Sequence, residues 1–97
     1  MTFRLTPAAE RDLEAIADTI AADNPVAARR WLDRMERQCA SLGEYPAMGA
    51  ARDEVRPGLR LWPLGNHLSL YRERDGGAEI VRVMDGRRQW EHLLDRP

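Results

Sequence analysis

Arginine is the residue type with the most capacity to bind charged ligands in this sequence, which has fifteen cationic side chains and no lysine. A guanidinium binds a phosphate or a carboxylate through paired, planar hydrogen bonds. Several arginines recur at short intervals or beside apolar runs, namely Arg52, Arg56, Arg60, Arg82, Arg87 and Arg88. Arg82 stands in the middle of a predicted strand, where an ion pair with a helix carboxylate is one interpretation. The other interpretation is a cationic surface for phosphate or for an acidic partner.

The remaining residues with catalytic potential do not form a recognised arrangement. Cys39 falls in an apolar helical seam, and no nucleophile-elbow motif surrounds Ser69. His67 and His92 lack the histidine or carboxylate partner, four residues away, of a helical metal site. Residues 75–77 (Asp-Gly-Gly) have the composition of a hairpin turn rather than of a phosphate-binding loop. We therefore predict no catalytic residue, no metal site and no cofactor.

The composition narrows the class of protein. A net charge of −1 provides no general attraction to nucleic acid, and the single cysteine excludes an internal disulfide. The proportions of hydrophobic (43%) and charged (32%) residues are those of a folded globule. No run approaches the roughly 20 apolar residues that span a bilayer, and the N-terminus shows no signal pattern. We therefore expect one domain over residues 1–97, located in the cytoplasm and not associated with a membrane.

Two amphipathic helices are predicted after a short strand over residues 2–6. Thr6 and Asn24 are suited to be their N-caps, because each is followed by a proline at the first helical position. Apolar residues recur at helical spacing in both segments: Leu13, Ile16, Ala17 and Ile20 in the first, and Ala28, Leu32, Met35, Cys39 and Leu42 in the second. Gly43 is predicted to end the second helix in a left-handed conformation. Since the link is so short, the helices should form an antiparallel hairpin.

After a predicted loop over residues 47–58, the apolar period changes from 3.6 to 2. This pattern predicts strands over residues 59–64, 67–74 and 78–85, joined by tight turns. Strict alternation would place Arg82 on the same face as Ile80 and Met84, opposite Val81 and Val83. Residues 87–94 are predicted to form a short C-terminal helix. The expected fold class is α+β, with the order β-α-α-β-β-β and an antiparallel sheet packed on the helical hairpin.

Six sequence blocks resemble the ParE branch of the ParE/RelE toxin superfamily, the toxin half of bacterial type II toxin–antitoxin pairs. The blocks occur in the same order and at similar spacing over nearly the whole chain. They comprise residues 9–16 (AERDLEAI), 23–28 (DNPVAA), 45–49 (YPAMG), 56–60 (RPGLR), 70–72 (LYR) and 79–88 (EIVRVMDGRR). The resemblance implies the same β-α-α-β-β-β fold that the periodicities predict.

The superfamily contains two activities, which the resemblance alone does not separate. RelE-type members cleave mRNA on the ribosome, with lysine and arginine on the sheet and a C-terminal tyrosine or histidine for proton transfer. This chain has no lysine, and His92 is the one candidate base in a tail without tyrosine. Loss of acid–base groups typically costs about 10²–10⁴-fold in rate. The resemblance therefore favours a ParE-type inhibitor of DNA gyrase, although Asp85 stands where many ParE sequences have histidine.

The resemblance also implies a ParD-like antitoxin with a DNA-binding ribbon-helix-helix half. The toxin would then associate with DNA only indirectly, through this antitoxin. The C-terminal segment of such an antitoxin would cover apolar surface and an open sheet edge, and would bring acidic residues to the toxin. The predicted partner-binding residues are Arg56, Arg60, Arg82, Arg87, Arg88 and Trp90. Two alternatives stay open. One is a ribosome-dependent endoribonuclease using Arg60, Arg82, Arg88 and His92, and the other is an inactive module that only forms a repressor complex.

Overall fold

The structure, a computed structural model, describes residues 3–86. Its elements along the chain are β1 (Phe3–Leu5), α1 (Pro7–Asp23), α2 (Pro25–Glu44), a 3-10 turn (Pro46–Met48), β2 (Ala50–Ala51), β3 (Arg60–Leu64), β4 (His67–Arg74) and β5 (Gly77–Asp85). The five strands form one sheet in the order β1-β5-β4-β3-β2, with α1 and α2 packed on one face. The predicted α+β fold is confirmed. The predicted C-terminal helix lies outside the described residues.

The two helices begin where the capping residues predict. The Thr6 hydroxyl accepts a hydrogen bond from the Ala9 amide at 3.1 Å, and the Asn24 side chain accepts one from the Ala27 amide at 3.0 Å. Asn24 alone separates the helices, which lie against each other as the predicted hairpin. Within residues 3–86 neither helix is long and apolar enough to cross a membrane.

Two predictions about α2 are wrong. Gly43 is a buried residue inside the helix, without a positive φ, because helical hydrogen bonding continues past it to the bond from the Tyr45 amide to the Ser41 carbonyl. Leu32 is not part of the core: it is 36% exposed. The core face of α2 is rotated away from Leu32 and consists of Ala28, Trp31, Met35, Gln38, Cys39 and Leu42.

The sheet differs from the predicted all-antiparallel arrangement at both edges. β3, β4 and β5 form the predicted antiparallel meander, but β1 runs parallel to β5, with Phe3 opposite Ala78. The helical hairpin carries the chain back across the sheet after β1, so β1 and β5 point the same way. At the other edge, β2 falls inside the predicted loop and pairs with Arg60 and Leu61.

A β-bulge in β5 changes which residues face the helices. Leu70 is opposite Arg82 and Tyr71 is opposite Ile80, so Val81 is an extra residue on the bulged strand. Ile80 therefore packs into the core beneath the helices, whereas Met84 packs into a second apolar cluster. The expectation that these two residues share one face is wrong, because alternation does not hold across a bulge.

Candidate functional site

Arg82 is held by a carboxylate on α1. Its Nε and Nη2 atoms donate hydrogen bonds to the two oxygens of Asp12 at 2.7 and 3.0 Å, and the Val83 amide donates to one of the same oxygens at 3.0 Å. These bonds raise the pKa of the Arg82 guanidinium above its ordinary value. The structural interpretation of Arg82 as an ion-pair partner of a helix is confirmed. Its role in binding a partner stays a prediction.

Arg60 and Tyr71 anchor the segment that joins α2 to β2. The buried hydroxyl of Tyr71 donates to the Pro46 carbonyl at 2.7 Å and accepts from the Gly49 amide at 2.8 Å. Arg60 Nη1 donates to the carbonyls of Ala47 and Gly49 at 3.2 and 2.7 Å. The guanidinium of Arg60 is thus bound to backbone oxygens of this connection.

The stability of the protein should fall above about pH 10, partly through Tyr71. Burial raises the pKa of the Tyr71 hydroxyl in the folded state, while the same group ionises near pH 10 when unfolded. Its contribution is therefore complete below pH 10 and lost as the pH rises through the folded pKa. We expect Tyr71→Phe to lower the free energy of unfolding by about 1–3 kcal/mol at pH 7.

Urea unfolding at several pH values checks this expectation. The difference between wild type and Tyr71→Phe should shrink above pH 10, because only the wild type loses the tyrosine contribution there. Cys39, whose pKa burial raises to about 11, is present in both proteins and cancels. Parallel pH profiles for the two proteins would show that Tyr71 does not titrate differently on folding.

The predicted partner-binding residues do not converge within the described residues. Arg82 reaches α1 at the β1 side of the sheet, whereas Arg60 reaches the α2–β2 connection at the opposite side. Arg56 is exposed in the loop before β3 and lines a pocket of about 150 Å³ with Arg72 and Glu79. Arg87, Arg88 and Trp90 lie outside the described residues. A common partner surface for these six stays a prediction.

The sheet face away from the helices is largely apolar. Its second apolar cluster consists of Leu59, Leu70 and Met84, with Val55, Leu61 and Leu68 packed against it. Beside the cluster, the buried carboxylate of Glu79 binds Arg72 at 2.7 Å and Arg74 at 3.0 Å. Over residues 3–86 this face therefore carries apolar side chains and arginines paired within the protein, rather than a row of unpaired cations.

Cys39 and His67 contribute to the packing of the core. Cys39 is 1% exposed, and burial raises the pKa of its thiol to about 11, so the thiol stays protonated near neutral pH. His67 contacts Trp31 edge-on, with ring centroids 5.3 Å apart. In residues 3–86, no group of three or more His, Cys, Asp or Glu side chains is arranged to hold a metal ion.

A groove between α1, α2 and β1 is a feature that the sequence reasoning missed. It has a volume of about 380 Å³, and its apolar wall is formed by Phe3, Leu5, Leu13, Leu32, Met35 and Cys39. Arg29, Asp33 and Glu36 complete its lining. Within residues 3–86, β1 is the outermost strand, and no strand pairs with its outer edge beside this groove. The sequence signal was present in Leu32, an apolar residue just outside the core face of α2.

A line of arginines on the opposite flank of α2 was also missed. Arg30, Arg34 and Arg37 follow one another at intervals of four and three, the spacing that places side chains on one side of a helix. This spacing is the signal in the sequence that marks the line, which lies apart from the arginines of the sheet and its loops.

Comparisons with known proteins agree with the fold and the sequence blocks. The family model for the ParE toxin of type II toxin–antitoxin systems, parDE, matches residues 3–90. Toxin ParE1 of Mycobacterium tuberculosis (strain ATCC 25618 / H37Rv) is 33% identical over 87 residues, which is 88% of this chain and 89% of that protein. Toxin ParE3 of Caulobacter vibrioides is 32% identical over 77 residues, covering 78% and 77% of the two chains.

A solved structure matches at the level of the whole fold. The chain superposes on a chain of the chromosomal ParDE TA system from P. aeruginosa with a TM-score of 0.72 and 25% sequence identity, covering 88% of this chain and 95% of the other. The family model spans most of the sequence, and the sequence relatives and the structural neighbour agree with it. The chain therefore belongs to the ParE toxin family of type II toxin–antitoxin systems.

Proposed function

We propose that this toxin inhibits DNA gyrase and is neutralised by a ParD-like antitoxin. Support comes from its membership of the ParE family and from a structural neighbour that comes from a ParDE system. An inhibitor that catalyses no reaction requires a binding surface and no catalytic residues. The described residues include exposed grooves, and the Cys39 thiol is buried and protonated near neutral pH.

The observation that carries this proposal over the ribonuclease alternative is the pairing of the sheet arginines. That alternative needs Arg60 and Arg82 to hold a phosphate together. Instead, Arg60 donates to Gly49 and Arg82 donates to Asp12, at opposite sides of the sheet. Freeing either guanidinium to bind a phosphate would first require breaking these hydrogen bonds. Arg88 and His92, the other members of that alternative, lie outside the described residues.

A supercoiling assay with purified gyrase tests the proposal. The toxin should reduce supercoiling of relaxed plasmid, and equimolar antitoxin should restore it. Normal supercoiling at saturating toxin would contradict gyrase as the target. Primer extension on translated messages from cells that express the toxin provides the second arm, because ribosome-dependent cleavage would support the ribonuclease alternative. Absence of any growth defect on induction would favour the inactive module.

The groove beside β1 suits the C-terminal segment of an antitoxin. It offers a strand edge that no residue between 3 and 86 pairs with, and an adjoining apolar surface; strand addition and helix-in-groove binding require these two features. Its rim contains Arg29, Asp33 and Glu36, so a bound segment would meet charges of both signs. We infer that the antitoxin covers this groove.

Leu32→Glu is expected to weaken antitoxin binding by at least about tenfold. Leu32 is 36% exposed and lines the groove, so glutamate would place a charge against the apolar side of the partner without disturbing the toxin core. Titration calorimetry with the purified antitoxin measures the effect. Ala40→Glu, on an exposed position of the same helix that does not line the groove, is the control and should leave affinity unchanged. Unchanged affinity in Leu32→Glu would place the antitoxin elsewhere.

A further inference from the structure

One side of α2 presents three exposed arginines. Arg30, Arg34 and Arg37 are exposed, and none of them forms a hydrogen bond or ion pair with another side chain or backbone group in residues 3–86. At about 100° per residue, the three side chains fall within about 60° of the helix circumference. They form a continuous line, which we call the arginine stripe.

The stripe is not placed for the stability of the helix. Arg30 and Arg34 are four residues apart, and Arg34 and Arg37 are three apart, so each neighbouring pair repels. Asp33 is three residues from Arg30 and four from Arg37, but its carboxylate lies 3.9 Å from Arg29 and it lines the groove beside β1. By contrast, Arg72, Arg74 and Arg82 of the sheet form ion pairs within the protein, whereas the stripe has no such partner among residues 3–86.

The stripe leads into an apolar groove at the C-terminal end of α2. The groove has a volume of about 410 Å³ and is lined by Arg37, Gln38, Ser41, Tyr45, Met48 and Trp62. Tyr45 is 64% exposed and Met48 is 37% exposed, both large for apolar side chains. Arginine, tyrosine, tryptophan and methionine are the residue types enriched where proteins bind other proteins.

Gln38 and Trp62, which form one wall of the groove, are held in place by contacts within the protein. The Gln38 side chain donates to the Pro63 carbonyl at 3.0 Å and lies 3.3 Å from the Ser69 hydroxyl, so α2 is fixed to β3 and β4 at this point. Trp62 belongs to β3 and packs against the main core. A surface whose walls do not have to be ordered on binding loses less conformational entropy.

We propose that the arginine stripe and the Tyr45–Met48–Trp62 groove form the surface through which the toxin binds an acidic, amphipathic segment of its protein target. Carboxylates of that segment would pair with the stripe, and an apolar side chain would fill the groove. The inference rests on the proposed function, in which the chain inhibits a protein. The apolar groove and the net charge of −1 favour an acidic protein over a nucleic acid backbone.

This surface and the groove beside β1 lie on different flanks of α2. Leu32 lies roughly 160° around the helix from Arg34, so an antitoxin segment bound at Leu32 need not contact the stripe. It would instead obstruct a large target sterically. The two surfaces can therefore be separated by mutation, and this separation makes the proposal testable.

The test variant is Arg34→Gln combined with Arg37→Gln, because glutamine keeps the helix propensity while removing two charges. Each substitution is also made singly, and Arg11→Gln, which removes one charge from an exposed position of α1, is the matched control for each. Growth inhibition on induction is measured first, since it does not assume the identity of the target. Half-inhibitory concentration for supercoiling and affinity for antitoxin are then measured on purified proteins.

The test variant should lose growth inhibition and require roughly tenfold or more toxin to inhibit supercoiling, with antitoxin affinity and melting temperature unchanged. Tyr45→Ala, at the other end of the surface, should act in the same direction. Retained growth inhibition in the test variant, an equal loss in the control, or loss of antitoxin binding would each overturn the proposal. So would binding of a 20-nucleotide single-stranded DNA that the substitutions abolish, because it would assign the stripe to nucleic acid.

The two proposals fail in different ways. A wild-type toxin that stops growth without inhibiting supercoiling would remove gyrase as the target, and growth inhibition would still test the stripe. A toxin that inhibits supercoiling equally well with and without Arg34 and Arg37 would keep gyrase and remove the stripe.

Discussion

Gly49→Ala should lower the free energy of unfolding by about 3 kcal/mol or more, because no space exists for a methyl group at this position. A Cβ atom at Gly49 would lie 2.5 Å from the Leu61 carbonyl oxygen and 2.6 Å from the Tyr71 hydroxyl oxygen. The first contact is with backbone that belongs to β3, and the second is with a hydroxyl held by Pro46. Neither atom can retreat without breaking a hydrogen bond of the α2–β2 connection.

Urea unfolding measures this effect, with Gly86→Ala as the control. A Cβ at Gly86 meets the Asn66 carbonyl oxygen at 3.4 Å, a distance that a small shift accommodates, so the cost should stay below about 1 kcal/mol. A Gly49→Ala protein within 1 kcal/mol of wild type would contradict the close approach of Gly49 to Tyr71 and Leu61.

Asp12→Asn is expected to lower the free energy of unfolding by about 2–4 kcal/mol. The Asp12 carboxylate accepts three hydrogen bonds, two from Arg82 and one from the Val83 amide. Asparagine keeps one acceptor oxygen and adds a donor that faces a cation. Arg82, whose side chain is 28% exposed, would then be left partly buried without a counter-charge. At roughly 4–8 °C per kcal/mol, the melting temperature should fall by about 10 °C or more.

Thermal unfolding followed by circular dichroism tests this prediction. Asp18→Asn removes the same charge from an exposed position of α1 and should change the melting temperature by less than about 3 °C. If Asp12→Asn melts like Asp18→Asn, the ion pair contributes little and other contacts hold α1 to β5. Arg82→Gln should lower the melting temperature less than Asp12→Asn does, because Asp12 retains the Val83 amide and contact with solvent.

These stability effects bear on how the arginines are assigned to function. A variant of Arg82 that loses toxicity would be ambiguous, since the same substitution loosens α1 from β5. The arginines of the stripe do not have this difficulty, because nothing in residues 3–86 depends on their charge. Toxicity measured on stripe variants therefore reports binding, whereas toxicity measured on Arg82 or Arg60 variants also reports folding.

The features that could be predicted from the sequence are those governed by neighbouring residues. Thr6 and Asn24 cap the helices because each side-chain oxygen reaches an amide three residues away. The hairpin turns form at Gly65 and at Asp75-Gly76, where the backbone takes positive φ. The family and the α+β fold class could likewise be predicted from the order of short motifs along the chain. Each motif is local, and the order of the elements follows the chain.

Other features depended on contacts between residues far apart in the chain, which no local pattern encodes. The extra residue at Val81 reverses the faces of the strand beyond it, and only pairing with β4 reveals it. Asp12 and Arg82 are 70 positions apart. Only glycine fits at position 49 because the Tyr71 side chain, 22 positions away, lies against it.

For the same reason, the sequence by itself determined that this chain is an arginine-rich ParE-type domain, but not which arginines are available to a partner. A guanidinium is available only when no acceptor of the folded chain reaches it, and that depends on the tertiary structure. Arg60 and Arg82, which the sequence singled out, hold the fold together, whereas Arg34 and Arg37 remain exposed on α2.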